Sequence, residues 1–420
     1  MTAGTVSMRR IVVVGNGIAG LTACDSLRAA GFDGELTVVG AERHSPYSRP
    51  ALSKALLHGV GGNGADGNGG NRNGGNGLSA HELPAPTHEA TELLGVSAAG
   101  LNVDARVVRL DDGGELPYDG LVIASGSRAR RLGAGPCDGG DAAELTLRTI
   151  EDAITLRQRV ASRPSVVVIG GGPLGMEVAS GCLQSGCEVT LVADGAPLSR
   201  QLGGYLSRIF TSAALRRGLR IVSGGKARLV RSGAVTRVIL DDGTELEAEV
   251  VVTAVGDEPN IEWLAGSGLL ADGSLRVDSR GRVRTDIVAA GDVAFFPTRR
   301  GVGRVPLWTS AIDQAKSAAV GLLRGDAAPG LDFQPYFWTE CFGLALKAVG
   351  FTPVAGDPDS CERGEGEGSM LLHWADRYSP GGAHSTGGTD GTAAAINYRI
   401  PIPKLRRLAG AGLSGGAALS

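Results

Sequence analysis

At 420 residues, with 42% apolar and 20% charged residues, the chain is long enough for two or three domains with real cores. A formal net charge of −3 gives no whole-molecule basis for binding nucleic acid or an anionic membrane, and no apolar run is long enough to span a bilayer. The six cysteines form no CxxC pair and no zinc-ligand spacing, so neither a disulfide framework nor a metal site is expected. Met1–Arg10 is short and polar, unlike a signal peptide, which leaves the cytoplasm as the expected compartment.

The first organised segment, Arg10-Ile-Val-Val-Val-Gly15, is a continuous β-branched run of the kind that forms a buried parallel strand. A glycine turn leads into a helix over Leu21–Ala30, and Glu35–Gly40 is a second strand, completing one βαβ unit. His44–Lys54 is irregular and then helical. Between 59 and 77, 15 of 19 residues are Gly or Asn, too polar to offset their ordering entropy, so a disordered loop is expected. Strand-like pieces over 95–110 and 121–124 precede a linker near 130–145. The pattern then repeats: strand Ser165–Gly170, turn, helix Met176–Ser185, strand Glu188–Val192. Val250–Val255 and Ile287–Asp292 follow, then a helix over Trp308–Leu323. From about 330, short strands at 344–350, 370–374 and 393–398, a Gly/Ser/Thr-rich loop at 379–392 and a basic helix near 403–408 indicate a small α+β domain.

Gly15-x-Gly17-x-x-Gly20 and Gly170-x-Gly172-x-x-Gly175 each lie between a strand and a helix. In such a turn the first glycine allows the bend, the second lets backbone approach a pyrophosphate, and the third lets helix pack on strand. The helix N-terminus then faces the phosphates. Two such units point to a flavin and a nicotinamide dinucleotide in one oxidoreductase; a two-nucleotide transferase is the alternative, disfavoured by the lack of a Walker lysine loop. The ribose acids are expected at Glu42 and Asp194, each also readable as a solvated acid at a strand end. An acid without an adjacent arginine favours NADH, while Arg200 keeps NADPH open.

Several further stretches carry a resemblance. They are Pro46-Tyr-Ser-Arg-Pro-Ala-Leu-Ser-Lys54, Ala124-Ser-Gly-Ser-Arg-Ala-Arg130, Gly170-Gly-Gly-Pro-Leu-Gly-Met-Glu177, Val255-Gly-Asp-Glu-Pro-Asn260, Ala289-Ala-Gly-Asp292, Leu307-Trp-Thr-Ser-Ala311 and Pro335-Tyr-Phe-Trp338. In order and spacing the chain resembles the FAD-dependent, oxygenase-coupled ferredoxin reductases, the putidaredoxin-reductase-like branch of the glutathione-reductase superfamily. The resemblance implies an α/β fold with two Rossmann-like dinucleotide-binding domains, for FAD and NAD, plus a small C-terminal α+β domain. The expected boundaries are 1–125 with 251–328 for FAD, 126–250 for NAD(P)H and 329–420 for the C-terminal domain.

The resemblance also implies roles. Lys54 matches the lysine beside the flavin N5 edge, where a cation stabilises arriving electron density; its plain alternative is a helix-surface lysine. Glu177 matches the acid near the nicotinamide ring; its plain alternative is a helix-surface glutamate. Arg130 and Ala98 match FAD contacts, Ala98 through its backbone. Asp292 matches the acid bonding the ribityl chain, Trp308 the position that follows it at the flavin, and Trp338 a cover for the flavin edge, with core packing as its alternative. Ile18 and Ala19, inside the first fingerprint, and Arg49, Ala124, Gly126, Leu174, Gly256 and Gly291, in the matched stretches, are taken as cofactor contacts.

Some positions depart from the family. Ala41 and Ala193 stand where relatives carry the ribose acids, with Glu42 and Asp194 one residue later. Pro306-Leu307 replaces a polar pair, and Cys341 replaces a glutamine. Cys182 and Cys187 follow the second fingerprint, not the first, so a disulfide-reductase reading is disfavoured and they read as core residues. The leading expectation is an NADH:ferredoxin oxidoreductase with a [2Fe–2S] partner. Its docking candidates are Arg128, Arg130, Arg131, Arg299, Arg300, Arg304, Lys404, Arg406 and Arg407, each equally readable as a solvated cation. One alternative is an enzyme acting directly on a small molecule, a quinone or oxygen. Another is an NADH-sensing flavoprotein without rapid turnover.

Overall fold

The computed structural model describes residues 8–54, 83, 86–133, 144–232, 235–375 and 391–410. The Gly/Asn stretch at 59–77, Cys137 and nearly all of the loop at 379–392 lie outside the described residues. The described chain divides into two compact units. One holds 8–48, 83, 86–128 and 258–333, and the other 49–54, 129–133, 144–232, 235–257, 334–375 and 391–410.

The first unit is built on a parallel sheet ordered Ile287–Ala289, Gly120–Ile123, Arg10–Val14, Glu35–Gly40, Thr91–Leu94. The nearly unbroken Ile/Val runs fit a sheet covered on both faces. Ile11, Val13, Val38, Val122 and Val288 form one core with the helices Ile18–Ala29 and Trp308–Arg324. Those helices meet through Ala23, Ala315, Ala318 and Ala319, all at 0% exposure, and small side chains let two helices approach closely. An antiparallel meander, Ala98–Asn102, Val107–Leu110 and Glu115–Pro117, links the third and fourth strands of the chain order.

The second unit repeats the plan with a parallel sheet ordered Arg220–Val222, Glu188–Val192, Ser165–Ile169, Val250–Thr253. A meander over Ala227–Ser232, Val235–Leu240 and Glu245–Ala248 lays Val238 and Leu246 on Val167, Ile169 and Val251. Its last part is a five-stranded antiparallel sheet ordered Tyr336–Cys341, Leu344–Val349, Thr392–Ile396, Met370–Trp374, Ser360–Arg363. The helix Ile402–Gly410 closes that sheet through Leu405 and Ala409, packed on Val349, Ala393 and Ala395.

The structure differs from the sequence reading at two kinds of place. Both fingerprint helices start earlier than expected, at Ile18 and Pro173, because Gly17 and Gly172 serve as N-caps without offering a side-chain signal. The helices Ile150–Val160 and Gly204–Arg216 are additional. The former starts on a capping box in which Thr149 Oγ1 accepts from the Asp152 N–H and the Asp152 carboxylate accepts from the Thr149 N–H.

Candidate functional site

In the first unit, Gly15 has φ +114° and sits against the strand Gly120–Ile123: a Cβ there would lie 2.1 Å from the Ala124 carbonyl oxygen. Gly20 faces its own turn equally closely, its virtual Cβ 1.8 Å from the Gly15 carbonyl. Gly17 is the contrast, with nothing within 4 Å of its virtual Cβ. The helix behind it has no side-chain cap and no acid in its first turn, leaving the Ile18, Ala19 and Gly20 amides with no side-chain acceptor. Tight where the protein packs and open where a ligand would approach, this turn fits a pyrophosphate.

The surrounding residues support the same end of the sheet. Asn260 ties down the Ala124–Gly126 turn: its Nδ2 donates to the Ser125 carbonyl at 2.9 Å and its N–H to the Gly126 carbonyl at 3.0 Å. Gly291, at φ +81°, donates its N–H to the buried Gln314 Oε1 at 2.7 Å, and its virtual Cβ would meet Ala19 at 2.9 Å. The next side chain, half-buried Asp292, accepts from Ser127 Oγ at 3.3 Å. Glu42 is half-buried and accepts from the buried Tyr47 hydroxyl. Half-buried Ala98 opens a strand, and half-buried Trp308 starts its helix directly after Leu307. Arg128 is ion-paired with Glu258 at 2.9 Å and Glu262 at 2.6 Å, so it adds no net positive charge there.

In the second unit the other fingerprint has matching geometry. A Cβ on Gly170 (φ +118°) would lie 2.2 Å from the Ala254 carbonyl, and one on Gly175 would lie 1.9 Å from the Gly170 carbonyl. Gly172 again faces open space, its nearest neighbour being Gln201 Nε2 at 3.7 Å. Pro173 takes the first helical position, where its missing N–H costs nothing, and Leu174 follows it. Beyond the strand Glu188–Val192, Ala193 is buried and Asp194 is exposed and paired with Arg200 at 2.6 Å. Arg130 is exposed, and its N–H donates to the Gly256 carbonyl at 3.0 Å.

The chemically distinctive cluster of this unit surrounds Glu177, in the second turn of the helix Pro173–Gln184. It is buried, not a helix-surface glutamate. Its Oε1 is ion-paired with Lys54 Nζ at 3.0 Å and accepts from Thr339 Oγ1 at 2.6 Å, and its Oε2 accepts from Ser53 Oγ. Lys54, its side chain 17% exposed, also donates to the Pro50 carbonyl at 3.2 Å. Arg49 anchors the same segment by donating to the Arg148 carbonyl at 2.9 Å. The Trp338 ring lies 6.0 Å from Lys54 Nζ and stacks on Tyr336 at 5.5 Å. Cys341 closes the strand that carries Trp338 and Thr339. Burial, and then the charge of Glu177, push its thiol well above the ordinary range, which disfavours the thiolate form. Cys182 is likewise pushed up to about 12 by burial.

Sequence reasoning named Lys54 and Glu177 but missed Ser53, Thr339, Asn260 and Gln314. Asn260 ends one of the matched stretches, whereas nothing in the spacing of Ser53 and Thr339 marks them as partners of Glu177.

Residues 9–315 match the pyridine nucleotide-disulphide oxidoreductase family. The chain is 34% identical over 372 residues to the ferredoxin–NAD(+) reductase component of the anthranilate 1,2-dioxygenase system of Burkholderia cepacia, covering 83% of this chain and 84% of the relative. It is 34% identical over 349 residues to the corresponding component of the p-cumate 2,3-dioxygenase system of Pseudomonas putida, covering 81% of each. Among solved structures, the covalent putidaredoxin reductase–putidaredoxin complex superposes with a TM-score of 0.77 at 27% identity, over 93% of this chain and 90% of that one.

Proposed function

Because the chain belongs to the pyridine nucleotide-disulphide oxidoreductase family, we propose that it is an FAD-dependent NADH:ferredoxin oxidoreductase. It passes electrons from the nicotinamide to a [2Fe–2S] ferredoxin that serves a P450 or Rieske oxygenase. The observation that carries this reading is the pair of fingerprint turns, each closed by backbone at its outer glycines and open at its middle one. They occur in a chain similar over most of its length to ferredoxin–NAD(+) reductase components. Bound FAD supplies the exchange between two-electron hydride chemistry and one-electron transfer to an iron–sulfur centre.

The chain's residues then divide the work. Gly15, Gly17 and Gly20, with the amides of Ile18 and Ala19, cradle the FAD pyrophosphate, and Glu42, held by Tyr47, takes its ribose. Asp292 takes the ribityl chain, and Ala98, Ala124, Gly126, Gly291 and Trp308 line the same cofactor. The resemblance assigns Arg49, Arg130 and Gly256 to FAD as well, and Trp338 to covering the flavin edge. Gly170, Gly172, Leu174 and Gly175 cradle the nicotinamide dinucleotide, with Asp194 at its ribose. Lys54 offers a fixed positive charge to the flavin, and Glu177 orients the reacting nicotinamide. The domain reading is FAD on 1–125 with 251–328, nicotinamide on 126–250 and the α+β domain on 329–420. Lys404 and Arg407 are exposed on the side of the last helix away from buried Leu405 and Ala409, which suits an acidic ferredoxin.

The compartment we propose is the cytoplasm. The five described cysteines are free, and no helix among the described residues is long and apolar enough to cross a membrane. The test is NADH-driven reduction of cytochrome c with and without added [2Fe–2S] ferredoxin. The reading expects the rate to depend on the ferredoxin and to saturate with it; a rate indifferent to ferredoxin overturns it.

A further inference from the structure

The Lys54–Glu177 pair is built with more donors than an ion pair needs. A carboxylate on a flexible arm turns easily about its last torsion, which is broad and roughly two-fold. A lysine bound to one of its oxygens follows that turn, because an ammonium is a compact point charge on a four-carbon stem. Here each carboxylate oxygen has its own hydroxyl donor: Thr339 Oγ1 on Oε1 at 2.6 Å and Ser53 Oγ on Oε2. Thr339 is 0% exposed and Ser53 4%, so neither hydroxyl exchanges its partner for water. The two donors come from segments far apart in the chain, one preceding Lys54 and one following Trp338.

The strand carrying Thr339 is itself fixed to the Glu177 helix. One turn further along that helix, Ser180 Oγ accepts the Phe342 N–H at 2.8 Å, and Ser180 is 2% exposed. The helix Pro173–Gln184 and the strand Tyr336–Cys341 are thus joined at two successive points, with Glu177 at the first. Lys54 in turn is held from two sides, by its ion pair with Glu177 at 3.0 Å and by donation to the Pro50 carbonyl at 3.2 Å.

We infer that Thr339 and Ser53 are positioning residues: their hydroxyls lock the Glu177 carboxylate in one rotation, and through it the Lys54 ammonium, for the transfer of hydride to the flavin. This deepens the functional reading above and rests on it. Neither hydroxyl touches a reacting atom. Their effect reaches the chemistry only through Glu177, and that sets the test.

Thr339→Val, Thr339→Ser and Ser53→Ala are made in the full-length, FAD-loaded protein, with Thr339→Val also made on a Glu177→Gln background. Three quantities are read: the limiting rate of flavin bleaching by NADH without oxygen, the NADH dissociation constant, and the midpoint potential of the bound flavin. Losing one hydrogen bond to a charged group predicts about a tenfold slower limiting rate in Thr339→Val, with NADH affinity within about twofold. The midpoint potential moves to a more negative value, because a wandering cation stabilises added electron density less. Thr339→Ser, which keeps the hydroxyl, returns to within about twofold of the parent. On the Glu177→Gln background Thr339→Val has no further effect on rate or potential.

A rate and potential unchanged in folded Thr339→Val overturn the inference. So does an equal loss on the Glu177→Gln background, which would mark a general packing role. Should Thr339→Val lose FAD or fold, Ser53→Ala decides by the same readouts: slower reduction and a negative shift support the inference, unchanged values overturn it. Failure of the parent protein to be bleached by NADH would instead overturn the functional reading. The potential, measured by dye equilibration, would still decide the positioning role.

Discussion

Replacing Glu177 by Gln keeps the side chain's shape but removes the charge opposite Lys54, whose Nζ lies 3.0 Å away with side-chain exposures of 17% and 7% for the two residues. Breaking a buried ion pair from one side costs about 3–5 kcal/mol, because the remaining charge stays buried without its partner. Lys54 keeps a bond to the Pro50 carbonyl and some contact with water, which places Glu177→Gln near the low end, about 3 kcal/mol. Lys54→Met leaves a carboxylate that still accepts from Ser53 and Thr339, for a loss of about 2 kcal/mol. The double replacement leaves no buried charge unpaired. With a coupling of about 2–3 kcal/mol it should be no less stable than the worse single variant. Urea unfolding of the FAD-loaded protein, followed by circular dichroism and by flavin release, gives the cycle. Losses that add to within about 0.5 kcal/mol would show that the two charges are not energetically paired and would refute the reasoning.

The two kinds of fingerprint glycine separate folding from binding. Gly17→Ala, with nothing within 4 Å of the new methyl, should keep its melting temperature and lose FAD affinity, whereas Gly20→Ala, at 1.8 Å from the Gly15 carbonyl, should fail to fold its unit. Flavin content after purification distinguishes them, and full flavin retention by Gly17→Ala would count against the cradle. The Asp194–Arg200 pair is exposed on both sides, so Asp194→Ala should leave stability nearly unchanged. It should weaken NADH binding about fivefold, the worth of one exposed charge-assisted hydrogen bond of about 1 kcal/mol; an unchanged dissociation constant would remove Asp194 from the ribose site. Asp278 gives the acid response. Burial pushes its carboxyl up, but donation from the Arg282 N–H and guanidinium and from the Arg280 N–H outweighs this and holds it below the usual range. A carboxyl lowered in the folded state stabilises above its unfolded value of about 3.9 and loses that contribution as the pH falls through the folded value. Asp278→Asn should therefore flatten the stability profile below about pH 4, and an identical acid limb in both proteins would contradict the assignment.

Much of the scaffold is legible in the sequence because its signals are local. Arg10–Val14 and Ser165–Ile169 are β-branched runs that end on glycine turns, and such runs have little choice but to be buried parallel strands. The helix Ile150–Val160 also carries a local signal, Thr149 three residues ahead of Asp152, but it follows a stretch that composition marks as a linker. The site is less legible. Ser53, Glu177 and Thr339 meet only because the helix Pro173–Gln184 packs beside the strand Tyr336–Cys341, and no periodicity in one segment encodes a partner in the other. Lys54 and Glu177 could be named from the resemblance to a family. The hydroxyls that fix them become visible only when the side chains are placed. Arg128 shows the converse: in sequence it reads equally as a docking candidate or a solvated cation, and in the fold it is ion-paired with two glutamates.

The most direct test of the proposed function is anaerobic stopped-flow of the FAD-loaded protein, mixed first with NADH and then with an oxidised [2Fe–2S] ferredoxin. The proposal predicts rapid bleaching of the flavin absorbance by NADH, followed by its return at a rate that rises with ferredoxin concentration. Bleaching that persists whichever ferredoxin is added would contradict the reductase function, and absence of bleaching would contradict the nicotinamide assignment.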